Sequence, residues 1–218
     1  GNRSEDDQNY GILMNFINYS TIKDNFVTNV QYGLTGDEEV KGGEGKALFI
    51  YNAQFNTIQG NHFENSNLGI HLTAGSENIK ISNNAFINNE TQVKYVAVRT
   101  QEWSHEGRGN FWSDHPGFDL NGDGIADSHY RPNDLMDQIL WSQPAAALLI
   151  GSPAVQLVRW SQSSFPATLP GGVRDSAPLM QPLTITVPPE IATMEAEAAG
   201  RWTKGNYDDI DVENLTTH

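Results

Sequence analysis

IQGNHFENSNLGI at positions 58–70 and ISNNAFINN at 81–89 are the two lines on which the fold is decided. Aligned on Ile58 and Ile81, they carry Asn61 and Asn84 three positions on, then Phe63 and Phe86, then Asn65 and Asn88. The same frame set on Ile22 brings Asn25, Val27 and Asn29 into those columns. Apolar and polar residues alternate with period two, the pattern of short strands with one face inward. A helical solenoid would need apolar spacings of three and four, and they are missing. A unit of about 22 residues with asparagine at its bends predicts an all-β solenoid, a right-handed parallel β-helix with like side chains stacked in ladders. Asparagine suits the bends because it tolerates left-handed backbone and satisfies neighbouring amides.

Upstream, Tyr10-Gly11-Ile12 matches Tyr32-Gly33-Leu34, so the repeat is running near the first residue and coils are expected before Gly1. An acidic, glycine-rich insertion from Thr35 to about Leu48 separates two copies. Downstream a weaker copy, Asn110, Trp112 and Asp114, ends the series. An open coil end exposes strand edges, and Trp103, Phe111 and Trp112 are the bulky residues expected to cover it.

The 218-residue chain carries a formal charge of −14 and no basic stripe, which excludes nucleic acid as a partner. With no cysteine it has neither disulfides nor thiolate metal sites. No Walker A glycine-lysine loop is present, so it does not itself hydrolyse ATP. The stacked polar columns are asparagine rather than aspartate, and Lys80, Lys94 and Arg99 are isolated, so no catalytic residues are expected. A carbohydrate-binding or carbohydrate-cleaving β-helix is the competing reading, and a solvent-facing column of aromatics and acids would favour it.

Between repeat and C-terminal segment lies GNFWSDHPGFDLNGDGIADSHYRP, 109–132. Asp119, Asn121, Asp123 and Asp127 stand at the first, third, fifth and ninth positions of a calcium-loop pattern, with the Ile125 carbonyl at the seventh. The twelfth position is Tyr130 rather than a bidentate glutamate, so the pattern is partial. Two readings stay open: a structural calcium loop, or a turn closed by its own side-chain-to-backbone hydrogen bonds.

Leu135 to Trp160 carries only Asp137 and Arg159 as charges. Leu135, Met136, Ile139 and Leu140 make one helical face. Ser152-Pro153 then reads as a helix cap and first turn, followed by Val155, Leu157 and Val158. Pro144, Gly151 and Pro153 stop the tract from crossing a bilayer as one helix. It either packs as core or projects into a partner's groove. Phe165 to Pro182 is expected to run extended over the body, and the acidic tail to be mobile or ordered by a partner.

The run Asn110-Phe111-Trp112-Ser113-Asp114, the loop from Asp119 to Asp127, and Tyr130-x-Pro132 together resemble the C-terminal signature of the NosD family. These are periplasmic CASH-repeat β-helix proteins of nitrous oxide reductase maturation. The resemblance implies a scaffold that docks on the membrane subunit of an ABC transporter and serves copper-site assembly on nitrous oxide reductase, with a copper chaperone as a further partner. Docking would fall to Leu135, Met136, Ile139, Leu140, Trp141, Leu148, Leu149, Val155, Leu157, Val158 and Trp160. For a transient copper site without cysteine, the candidate ligands are His105, His115, His129 and Met136. The expected division is 1–132 for coils, cap and acidic loop, 133–182 for a helical and extended arm, and 183–218 for the tail.

Overall fold

The computed structural model describes residues 1–32, 44–73, 75–95, 99–133, 137, 139, 143–149, 151–164 and 171–184. The expectations for 35–43 of the insertion, for 165–170 and for 185–218 fall outside the described residues. Strands are numbered in chain order. One sheet stacks β1 (Arg3–Glu5), β4 (Phe26–Thr28), β7 (His62–Glu64), β10 (Ala85–Ile87) and β13 (Phe111–Trp112). A second stacks β2 (Tyr10–Asn15), β5 (Lys46–Tyr51), β8 (Leu68–Leu72) and β11 (Thr91–Tyr95), and a third β3 (Thr21–Lys23), β6 (Thr57–Gln59) and β9 (Lys80–Ser82). Every strand pair in these sheets is parallel, so the chain is a parallel β-helix.

Register follows the sequence columns. Ile22, Ile58 and Ile81 are partners, as are Val27, Phe63, Phe86 and Trp112. Those side chains fill the core; Phe63 and Phe86 are fully buried and Trp112 nearly so. Asn29, Asn65 and Asn88 bend the coils at φ of 56°, 53° and 51°, the left-handed region that asparagine reaches at least cost.

A buried asparagine ladder runs through the stack. The backbone N–H of each member donates to the side-chain oxygen of the next, from Asn2 to Asn25 (2.9 Å), Asn25 to Asn61 (3.1 Å), Asn61 to Asn84 (3.0 Å) and Asn84 to Asn110 (3.1 Å). Its steps are 23, 36, 23 and 26 residues. The long step exceeds its neighbours by 36 − 23 = 13 residues, which is where the insertion is taken up.

In one place the register departs from the sequence reading. Tyr10 and Ile12 pair with Lys46 and Leu48, beyond the insertion, rather than standing one coil above Tyr32 and Leu34. The recurring tripeptide misled; burial decides instead, because Ala47, Leu48 and Ile50 are the residues sealed in the core.

The cap combines the expected residues with a segment that returns from far downstream. Trp103 and Trp112 are buried, their rings 6.1 Å apart, while Phe111 is only half-buried. β12 (Thr100–Glu102) pairs with β14 (Gly172–Arg174), Phe111 bridges Leu179, and Tyr130 bridges Asp175. Residues 171–182, placed within the arm by the sequence division, therefore form a strap across the last coil. Asp175 is fully buried there and takes the next place in the ladder. Its Oδ2 accepts from Asn110 N (2.7 Å), Asn110 Nδ2 (3.2 Å) and Trp112 Nε1 (2.9 Å), and its Oδ1 from Ala177 N (3.1 Å). A Cβ at Gly109 would fall 1.8 Å from Asp175 Oδ1, so only glycine lets the strap sit this close.

Candidate functional site

With the strap in place, the arm is an excursion whose two feet stand on the capped end. It leaves at Asn133, whose Nδ2 donates to Val93 O at 2.6 Å. It returns at Gly171, whose carbonyl accepts from Arg131 Nη1 at 3.4 Å. A 3-10 helix covers Pro144–Leu149, and α1 covers Pro153–Ser164. Ser152 caps α1 as its position dictates, its Oγ accepting from Val155 N at 3.4 Å.

The docking residues expected from sequence divide three ways. Val155 is buried and Ile139 and Val158 are half-buried. Leu148, Leu149, Leu157 and Trp160 stand 91%, 58%, 63% and 61% exposed. Leu135, Met136, Leu140 and Trp141 lie outside the described residues. Asp137 and Arg159, the tract's two charges, pair with each other at 3.2 Å. The described part of the tract thus exposes four large apolar side chains and pairs its two charges with each other.

The acidic loop closes on itself. Asp119 accepts from the N–H groups of Gly122 (2.7 Å), Asp123 (3.3 Å) and Gly124 (2.8 Å). Gly124, with Gly122 and Asp123 after it, holds this carboxyl below the usual range. Asn121 Oδ1 accepts from Asp123 N, Asp123 Oδ1 from Ile125 N, and Asp127 Oδ2 from Leu120 N. The carboxylates turn toward the loop's own N–H groups. Among the described residues no three His, Cys, Asp or Glu side chains converge as a metal would require.

The candidate copper ligands are likewise separate in their contacts. His105 Nε2 lies 3.4 Å from Lys80 Nζ, and His115 Nε2 donates to Ser128 O at 3.0 Å. His129 Nδ1 accepts from Arg174 at 2.7 Å, and Met136 is outside the described residues. Each imidazole serves a local contact, and two of them face cationic side chains.

A feature that sequence reasoning missed lies on the outward face of the second sheet. Tyr10 stacks on Phe49 at 5.4 Å, Phe49 meets His71 at 4.9 Å with the rings tilted by 34°, and Tyr19 and Phe55 stack at 5.2 Å around the bend. Phe16, Tyr19 and Phe55 hold left-handed backbone, where aromatic residues are strained. Lys94 beside this stack grips Glu44 through both carboxylate oxygens, at 2.7 and 2.6 Å. Burial lowers the pKa of His71 to about 4, and Lys94 and Lys46 act in the same direction, so its ring is neutral. The signal was Tyr10 on β2 with Phe49 and Tyr51 on the paired β5, hidden by the misplaced end of the insertion.

No helix among the described residues is long and apolar enough to cross a membrane. A protein from Stutzerimonas stutzeri named "Probable ABC transporter binding protein NosD" is 62% identical over 182 residues. That match takes in 83% of this chain and 42% of the relative. A protein of the same name from Pseudomonas aeruginosa is 58% identical over 181 residues, with the same two shares. The chain thus spans about two fifths of the length of these curated relatives. Residues 1–117 match the family described as "Periplasmic copper-binding protein (NosD)". The chain belongs to the NosD family of periplasmic copper-binding proteins.

Proposed function

We propose that this chain is the docking end of a periplasmic, non-enzymatic scaffold in copper-site maturation of nitrous oxide reductase. Its arm engages the membrane subunit of an ABC transporter, and the solenoid holds the arm at a fixed place relative to the reductase and a copper chaperone. One observation carries the reading: the last coil is sealed by the strap, so the arm is not needed as a lid, yet it keeps Leu148, Leu149, Leu157 and Trp160 exposed. Exposed apolar side chains grouped on one short stretch mark a surface that meets a partner. The names of the relatives, which are those of binding proteins, support the same direction.

The aromatic column favours the carbohydrate reading only in part. A sugar ring lies flat on an aromatic face, and both faces of Phe49 are taken, by Tyr10 and by His71. The acid beside the column, Glu44, is held by Lys94.

The test replaces 134–170 with a short flexible linker between Asn133 and Gly171 and measures co-purification with the detergent-solubilised transporter. Capture by the full chain and its loss from the excised but folded variant is the expected outcome. Equal capture of both would end the proposal.

A further inference from the structure

We propose that the cap of the last coil carries a path for oxidising equivalents, in which an electron vacancy made on Trp103 or Trp112 ends as a radical on Tyr130. The ring centres of Trp103 and Trp112 are 6.1 Å apart, and those of Trp112 and Tyr130 4.7 Å. All three rings are buried. Rings this close exchange electrons readily, and no oxidant need touch them, because an electron tunnels through the protein around them. Trp112 also lies 4.4 Å from Phe86. A benzene ring with no heteroatom gives up an electron far less readily, so the vacancy does not run back into the coils.

Direction comes from where a proton can go. Among the described residues Trp103 Nε1 has no hydrogen-bond partner, so an oxidised Trp103 cannot shed its proton. Trp112 Nε1 donates to Asp175 Oδ2 at 2.9 Å, a carboxyl sealed in the interior. Tyr130 is better served. Its hydroxyl donates to both oxygens of Asp114, each at 2.8 Å, and Asp114 is exposed. Burial and the charge of Asp114 hold this hydroxyl above its ordinary range, so it enters the step as a phenol. A phenol gives up an electron easily only when its proton leaves with it, and a carboxylate at hydrogen-bond distance takes that proton.

The step balances with one named co-reactant, a one-electron oxidant at the surface. The oxidant takes one electron from an indole ring and is reduced. Tyr130 passes one electron to the resulting indole radical cation and its hydroxyl proton to Asp114. The indole is restored, leaving a neutral tyrosyl radical and a protonated carboxyl, and no heavy-atom bond breaks. The two indoles that seal the cap are spared. The radical stands against a side chain that meets solvent, where a thiol or another one-electron donor can quench it.

The test generates a ruthenium(III) polypyridyl oxidant by light in a solution of the full chain. Oxidation is mapped residue by residue from peptide masses, and the radical is identified by its EPR signature. Tyr95 is the control, because it is also buried but its hydroxyl accepts from Gln101 Nε2 at 3.3 Å rather than facing a carboxylate. Oxidation is expected at Tyr130, with Tyr95, Trp103 and Trp112 spared. Asp114→Asn keeps the ring contacts but removes the proton acceptor, and is expected to lose the Tyr130 product and move oxidation to Trp112. Exposed Trp160, outside the path, sets the dose in both samples. The wild-type comparison of Tyr130 with Tyr95 stands even if the variant loosens the cap. Tyr130 left unmodified, Tyr95 modified as much as Tyr130, or equal Tyr130 product in Asp114→Asn would each overturn the proposal.

Discussion

Asp175 stands where a further asparagine would continue the ladder, and the difference of one atom is the point. Asn25, Asn61 and Asn84 each accept from one coil and donate Nδ2 toward the next. Asp175 meets only donors: three on Oδ2 and one on Oδ1. Burial pushes its carboxyl up, and the Trp112, Asn110 and Ala177 donors pull it back in part. Its folded pKa is therefore raised, and the folded chain holds this proton more tightly than the unfolded one. Such a group's contribution to stability is fullest below the ordinary carboxylate pKa of about 4 and is lost as pH rises through the folded value. The denaturation midpoint of wild type relative to Asp175→Asn is accordingly expected to fall as pH is raised from about 4 toward neutral. An unchanged difference between the two across that range would refute the assignment. The ladder's first members were legible in sequence because Asn25, Asn61 and Asn84 recur in frame. Asp175 was not, because it lies 65 residues beyond Asn110 and shares no pattern with it.

At the scale of elements, the strap changes what counts as an end. Truncation after Pro132 removes β14 and Asp175 together, stripping the partners from Asn110 N and Trp112 Nε1 and uncovering the last coil. A buried donor left without a partner costs about 1–3 kcal/mol, so the truncated chain is expected to melt well below wild type. Excising 134–170 keeps the strap and is expected to hold Tm close to wild type; thermal denaturation of both variants decides. The acidic loop is a second element whose stability is its own. With Asp119, Asn121, Asp123 and Asp127 occupied by backbone N–H groups, chelation is expected to leave Tm unchanged, and a fall of several degrees would restore the structural calcium reading. The loop's residues were readable from spacing, but spacing could not say whether the carboxylates face a cation or the backbone. The end of the insertion was misread for a related reason: Tyr32-Gly33-Leu34 copies the pattern of Tyr10-Gly11-Ile12, while Lys46-Ala47-Leu48 copies its burial.

For the molecule as a whole, the coil stack was predictable because every coil repeats the same inward columns. The arm's surface was not, since Leu148 and Val155 read alike in sequence and only packing separates an exposed leucine from a buried valine. The candidate copper residues show the same limit. His105, His115 and His129 are close in sequence, yet Lys80, Ser128 and Arg174 claim them one by one. Replacing these three histidines together with Met136 is expected to leave Cu(I) uptake by this chain unchanged in a competitive titration, and a loss of one equivalent would show that they hold the ion. A stack held by side chains that both give and take hydrogen bonds has a direction, like a zipper with teeth on each side. At Asp175 the teeth run out: a carboxylate can receive but has nothing to hand forward. Another coil, from this chain or a stray copy, finds no grip there, so end-to-end growth into fibres is blocked at that face by chemistry as well as by bulk.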